Sequence, residues 1–89
     1  MAVRLNTVLA NDEGQSFSPN ADFFVQVEAE AGPTTVFDVL ARMDAAAPWA
    51  VVDSISAREN VVRYAAMPFV KIAVRNNTTG KAARAWSNV

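Results

Sequence analysis

The sequence predicts an all-β domain, a small antiparallel β-sandwich (Ig-like or jelly-roll-like) of about seven short strands. Three observations predict it. Residues 22–31 alternate, with Phe23, Val25, Val27 and Ala29 on one face and Asp22, Gln26, Glu28 and Glu30 on the other. Residues 69–75 alternate likewise, Val70, Ile72 and Val74 against Lys71, Ala73 and Arg75. Segments of this kind recur every roughly 8–12 residues between turn-forming residues, the spacing of a sandwich or barrel. With 89 residues, 52% of them apolar, the chain suffices for one domain with a single core.

Residues 1–10 place Val3, Leu5, Thr7 and Leu9 on one face and Arg4, Asn6 and Val8 on the other. This is a first strand, either an edge of the domain's own sheet or an arm that pairs with a neighbouring subunit. Asn11-Asp12-Glu13-Gly14-Gln15-Ser16 is a polar loop, Gly14 being free to take a positive φ. Phe17 sits before the next turn, Ser18-Pro19-Asn20, and suits a plug at the core edge. The organisation is therefore an N-terminal strand or arm with its loop over 1–20 and a sandwich core over 21–89, one domain in all.

The strand over 22–31 has one outward apolar exception, Phe24, and ends at Gly32-Pro33. Residues 34–43 carry two patterns. As a strand, Phe37, Val39, Ala41 and Met43 form an apolar face, and the opening Thr34-Thr35-Val36-Phe37 has strong β propensity. As a helix, Thr35 with Asp38 matches a capping box, and Val36, Val39, Leu40, Met43 and Ala47 share a face. The short gaps to β-like segments on both sides favour the strand. Asp44-Ala45-Ala46-Ala47-Pro48 is the next connection, Trp49 opens a strand over 49–56, and a loop follows over 56–60. Strands over 61–66 and 69–75 are separated at Met67-Pro68, since Pro68 has no N–H to give to a ladder. Thr78-Thr79-Gly80-Lys81 reads as a hairpin turn into a last strand over 82–87, with Trp86 near its end.

Composition excludes several kinds of chemistry. The chain has no Cys and no His, so thiolate nucleophiles, zinc–cysteine sites and the commonest general base are missing. Eight basic residues against nine acidic ones, spread without a cluster, predict no nucleic-acid partner. No apolar run approaches the ~18 residues of a membrane span, and residues 1–10 lack the pattern of a secretory signal. Glu28 and Glu30 share a strand face, but alternating acids are also how such a face stays solvated. Asp38 and Asp44 lie in no calcium-binding loop pattern, and the two sequons in Asn76-Asn77-Thr78-Thr79 read more simply as a turn. Trp49 either fills the core, the favoured reading, or joins Trp86 in a sugar-stacking platform. The expectation is a non-enzyme with no catalytic residue, no cofactor and no metal site.

From Phe23 onward the chain resembles a type of small β-sandwich protein found among bacteriophage virion components. The parts are the alternating strand over 23–29, Gly32-Pro33, the strand over 35–43, the turn at Asp44, and the Trp-led strand over 49–55. The connecting strand over 61–66, Pro68-Phe69-Val70-Lys71-Ile72, the Asn/Gly turn over 76–80 and the last strand over 82–87 complete it. Ala45-Ala46-Ala47 stands where that type has a Gly. The resemblance implies a non-enzymatic structural protein that decorates or cements a bacteriophage capsid. It would be made in the host cytoplasm, act on the capsid surface of the virion, and dock as a homo-oligomer on the major capsid protein or other virion proteins. A tail, fibre or carbohydrate-binding module is the alternative, which would make a glycan the partner. For contacts, the apolar residues of the terminal strand, an outward strand face and the chain end are Val3, Leu5, Phe24 and Trp86.

Overall fold

Two four-stranded antiparallel sheets face each other in the computed structural model, which describes residues 2–56 and 61–89. In chain order the strands are β1 (Ala2–Thr7), β2 (Asp12–Glu13), β3 (Phe23–Ala29), β4 (Val36–Arg42), β5 (Ala50–Ser56), β6 (Val61–Tyr64), β7 (Phe69–Arg75) and β8 (Ala83–Ser87). The first sheet has the order β1-β8-β3-β6 and the second β2-β7-β4-β5. The all-β sandwich expected from the alternation is the fold observed. The ambiguous stretch over 34–43 is strand β4, paired with β5 on one side and β7 on the other. Of the loop expected over 56–60, Ser56 is the last residue of β5 and 57–60 lie outside the described residues.

The inward residues of β3 and β7 are those that period two selects. Phe23, Val25, Val70 and Ile72 are fully buried, as are Phe37, Val39 and Ile55 from β4 and β5. Each fully buried side chain of this kind contributes about 1.5–3 kcal/mol of transfer free energy. Phe17 closes the core at one edge, packing edge-to-face on Phe23 with ring centroids 5.8 Å apart. It is held by two backbone hydrogen bonds with Val70, one in each direction. β1 and the segment through Phe17 are thus built into the sandwich, with Leu5 and Phe17 in the same core as Phe23.

The structure corrects four local expectations. First, β7 and β8 belong to different sheets, so 76–82 is a crossover and not a hairpin. Thr78 and Lys81 do close a tight turn, with Gly80 at φ 91°, but the chain leaves it for the opposite sheet. Among the described strands, β4 and β5 alone are both consecutive and adjacent; every other connection changes sheets. Second, the supposed loop over 11–16 contains β2, two residues that pair with Val74 and Ala73 of β7. Third, the positive-φ glycines are Gly32 and Gly80, and Gly14 serves another purpose. It donates to the Ile72 carbonyl at 2.8 Å, and a Cβ on it would lie 1.7 Å from the Arg4 carbonyl oxygen. Its missing side chain lets this segment pass between β1 and β7. Fourth, Met43 is exposed beyond the end of β4 instead of extending its inward face.

At the turn where alanines replace glycine, Asp44 Oδ1 accepts the Ala46 N–H at 2.8 Å and the Asp44 carbonyl accepts that of Ala47 at 3.0 Å. A side-chain-closed turn of this kind needs no left-handed residue.

Candidate docking surface

The outward face of the first sheet is set by β1, β8, β3 and β6 in register. Val3 lies opposite Trp86, Trp86 opposite Gln26, and Gln26 opposite Val61, so one row crosses all four strands. Phe24, two residues from Gln26 on the same face of β3, lies opposite Arg63. Val3, Phe24 and Val61 are 61%, 47% and 50% exposed. Between them Phe24, Gln26, Val61 and Trp86, with Ser87 and Asn88, enclose a shallow hollow of about 60 Å³. Asn88 fixes Phe24 from the side, its Oδ1 accepting the Phe24 N–H at 2.8 Å. Two ion pairs flank the apolar row, Arg63 with Asp22 at 2.7 Å and Arg84 with Glu28 at 2.8 Å. An apolar centre with a charged rim is the composition of protein-contacting surfaces.

Of the four residues singled out as contacts, the fold therefore brings Val3, Phe24 and Trp86 to one face. Leu5 is not with them: it is 5% exposed and belongs to the core, with no surface to offer a partner. A register shift between Val3 and Leu5 separates the two. The bulge absorbs Arg4, whose guanidinium lies 3.8 Å from the Phe17 ring centroid and whose Nε donates to Ser87 Oγ at 2.8 Å. Burial draws the Arg4 pKa down from the usual guanidinium value, though such a group stays charged at ordinary pH. Strict alternation assigns Val3 and Leu5 to one side; the inserted residue puts them on opposite sides. Val61 joins the surface because β6 pairs with β3, a pairing that no local pattern announces.

The outer face of the second sheet has a different character. Trp49, expected in the core, is half-buried on that face beside residues of β4 and β7. The Arg42 guanidinium lies 4.5 Å from the Trp49 centroid and 5.4 Å from that of Phe69, and Lys71 Nζ lies 4.7 Å from Trp49. Lys71 also pairs with Glu13 at 3.0 Å. Trp49 and Trp86 stand on opposite outer faces, so they form no common platform for a sugar. The acids that the sequence singled out are engaged: Asp38 with Arg75 and Ser54, Asp44 with the Ala46 N–H, Glu28 with Arg84, and Glu30 Oε1 with the Ala82 N–H. A wider groove of about 340 Å³ runs between β1 and residues 12–16. Its acids are Glu13, taken by Lys71, and Asp12, whose Oδ1 accepts the Glu13 N–H.

Among the described residues there is no cluster of three or more potential metal-ligating side chains and no helix able to cross a membrane. Comparison with protein-family models, curated proteins and solved structures finds no match to this chain.

Proposed function

We propose that the protein is a non-enzymatic structural component of a bacteriophage virion that decorates or cements the capsid. It docks through the outer face of its first sheet. The observation that carries the docking surface is the convergence of Val3, Phe24, Trp86 and Val61 on one sheet face with ion pairs at its rim. Aromatic anchors surrounded by groups that exclude water supply most of the energy of a protein contact. Individually weak contacts become firm when many copies occupy a repeating lattice. The virion assignment rests on the pattern of strands and turns from Phe23 onward, and the inward and outward residues of β3, β4 and β7 support that pattern. The proposed partner is the major capsid protein or another shell protein, and the proposed state is a homo-oligomer.

Quantitative mass spectrometry of purified particles tests this reading. Many copies per shell are expected, and retention of the variants Phe24→Ser and Trp86→Ser on the shell should fall by tenfold or more each, in line with about 2 kcal/mol for a central aromatic. A handful of copies per particle would move the protein to the tail or fibre. Absence from particles, or full retention of both variants, would end the proposal. A glycan-array signal that disappears in Trp86→Ser would favour the carbohydrate-binding alternative.

A further inference from the structure

We propose that Arg42, Lys71 and Trp49 form a carboxylate-binding site on the outer face of the second sheet, and that its occupant is an acidic side chain of a partner protein. The site lies on the face opposite the apolar row and does not depend on it.

The arginines of this chain are unevenly paired. Among the described arginines, Arg63, Arg75 and Arg84 each meet a carboxylate, and Arg4 bonds to Ser87 Oγ and the Val89 carbonyl. Arg42 has no such partner, and its Nε is buried without a hydrogen-bond acceptor. A buried donor left unmade is costly, and more so on a charged group. The rings of Trp49 and Phe69 offset part of that through cation–π attraction. Of the guanidinium nitrogens only Nε is both buried and unpaired, so the terminal nitrogens are the ones open to a ligand.

The same rings hold the guanidinium in place, so little rotamer entropy remains to be lost when a ligand binds. Lys71 stands on Trp49 from the β7 side and shares its charge with Glu13. Two cations therefore meet at Trp49, and Glu13 is paired with one of them, so the group that would complete the set is a second carboxylate. Val51, opposite Leu40 on β5, is exposed and gives an apolar border suited to the stem of a peptide side chain. A polyanion is a poor candidate: two cations at this site, one of them already paired with Glu13, on a chain of net charge −1 give little counterion release.

The test uses the full chain carrying Trp86→Phe, which leaves Trp49 as its single tryptophan. The probe is a capped tetraglutamate peptide, with capped tetraglutamine and inorganic phosphate as controls, titrated at low salt and followed by Trp49 emission. A saturable response to tetraglutamate alone is expected. It should weaken about tenfold or more in Arg42→Gln, and less in Arg42→Lys, which keeps the charge and loses the planar fork. Raising the salt should weaken it further. Lys71→Gln, whose site lies on the outer face of a central strand, provides a second variant should Arg42→Gln melt early. Phe24→Ser should leave the response unchanged, which separates failure of this site from failure of the apolar row. No saturable response, equal binding by Arg42→Gln and Lys71→Gln, or an equal response to phosphate would each overturn the proposal.

Discussion

The Asn77 side chain donates from Nδ2 to the Leu9 carbonyl at 3.0 Å, joining two connecting segments 68 residues apart in the chain. The same amide donates to the Lys81 carbonyl at 2.9 Å, and its Oδ1 accepts from Thr35 Oγ1 at 3.3 Å. Asn77 is only 5% exposed. One side chain therefore satisfies backbone carbonyls in the β1–β2 and β7–β8 connections and a hydroxyl that precedes β4. Asn77→Ala should lower stability by about 2–4 kcal/mol, because two carbonyls lose their donor and a buried hole is left. For a domain of this size that is a fall of roughly 4–8 °C in Tm per kcal/mol. A urea melt and a thermal melt both measure it, and a loss below 1 kcal/mol would contradict the bonding described.

Asn77 also shows what the sequence made legible and what it withheld. Asn76-Asn77-Thr78-Thr79-Gly80 announces a change of direction, and a turn with Gly80 in the left-handed region is present. Turn chemistry is local, however, and does not encode the sheet that receives the chain, so the hairpin expected there is a crossover. The inward faces of β3, β4 and β7 were readable because each has one face in the core and one outside, which imposes period two on the residues. β2, with two residues, is too short to display a period. In β1 the bulge at Arg4 breaks the phase, which is why Leu5 reads as a companion of Val3 and is instead its opposite. Of the candidate surface, Val3, Phe24 and Trp86 were legible as apolar residues out of place. Their meeting was not, because it depends on β8 lying between β1 and β3.

Gly14→Ala should be among the most damaging single-methyl additions to this chain. The added Cβ would lie 1.7 Å from the Arg4 carbonyl oxygen, a backbone atom that cannot swing aside. Relief requires moving β1 or breaking the hydrogen bond from Gly14 to Ile72. Gly80→Ala meets nothing within 4 Å and is penalised only through its φ of 91°, at roughly 1 kcal/mol. Thermal melts of the two variants should therefore rank Gly14→Ala well below Gly80→Ala, and the reverse order would exclude the close approach.

On the other side of the sandwich the edge strands β5 and β6 belong to different sheets, and Tyr64 joins them by donating to Asp53 Oδ2 at 2.7 Å. Tyr64 also stacks on Phe23 with centroids 5.6 Å apart, so the ring is anchored apart from its hydroxyl. Tyr64→Phe keeps the ring and removes the bond, and should cost about 1–2 kcal/mol, since the acceptor is a carboxylate. Amide hydrogen exchange should rise in β5 and β6 more than in β4 and β7. A uniform change across both sheets would mean that the bond does not hold this edge.

Arg4 and Arg84 allow two arginines of one sheet to be compared. Arg84 pairs with Glu28 in the open, both side chains being largely solvated, and exposed pairs of this kind contribute about 0–1 kcal/mol. Arg84→Lys should therefore change stability by less than about 0.5 kcal/mol. Arg4 makes a different set of contacts: its guanidinium carbon lies 3.8 Å from the Phe17 ring centroid, and its nitrogens reach Ser87 Oγ and the Val89 carbonyl. Lysine keeps the charge but has neither the flat face nor the fork, so Arg4→Lys should lose about 1–2 kcal/mol. Added salt should shrink the small Arg84 effect and leave most of the Arg4 effect in place, because stacking and short bonds in a partly buried site are weakly screened. Equal losses for the two substitutions would mean that the bulge at Arg4 holds its shape without the contacts its side chain makes.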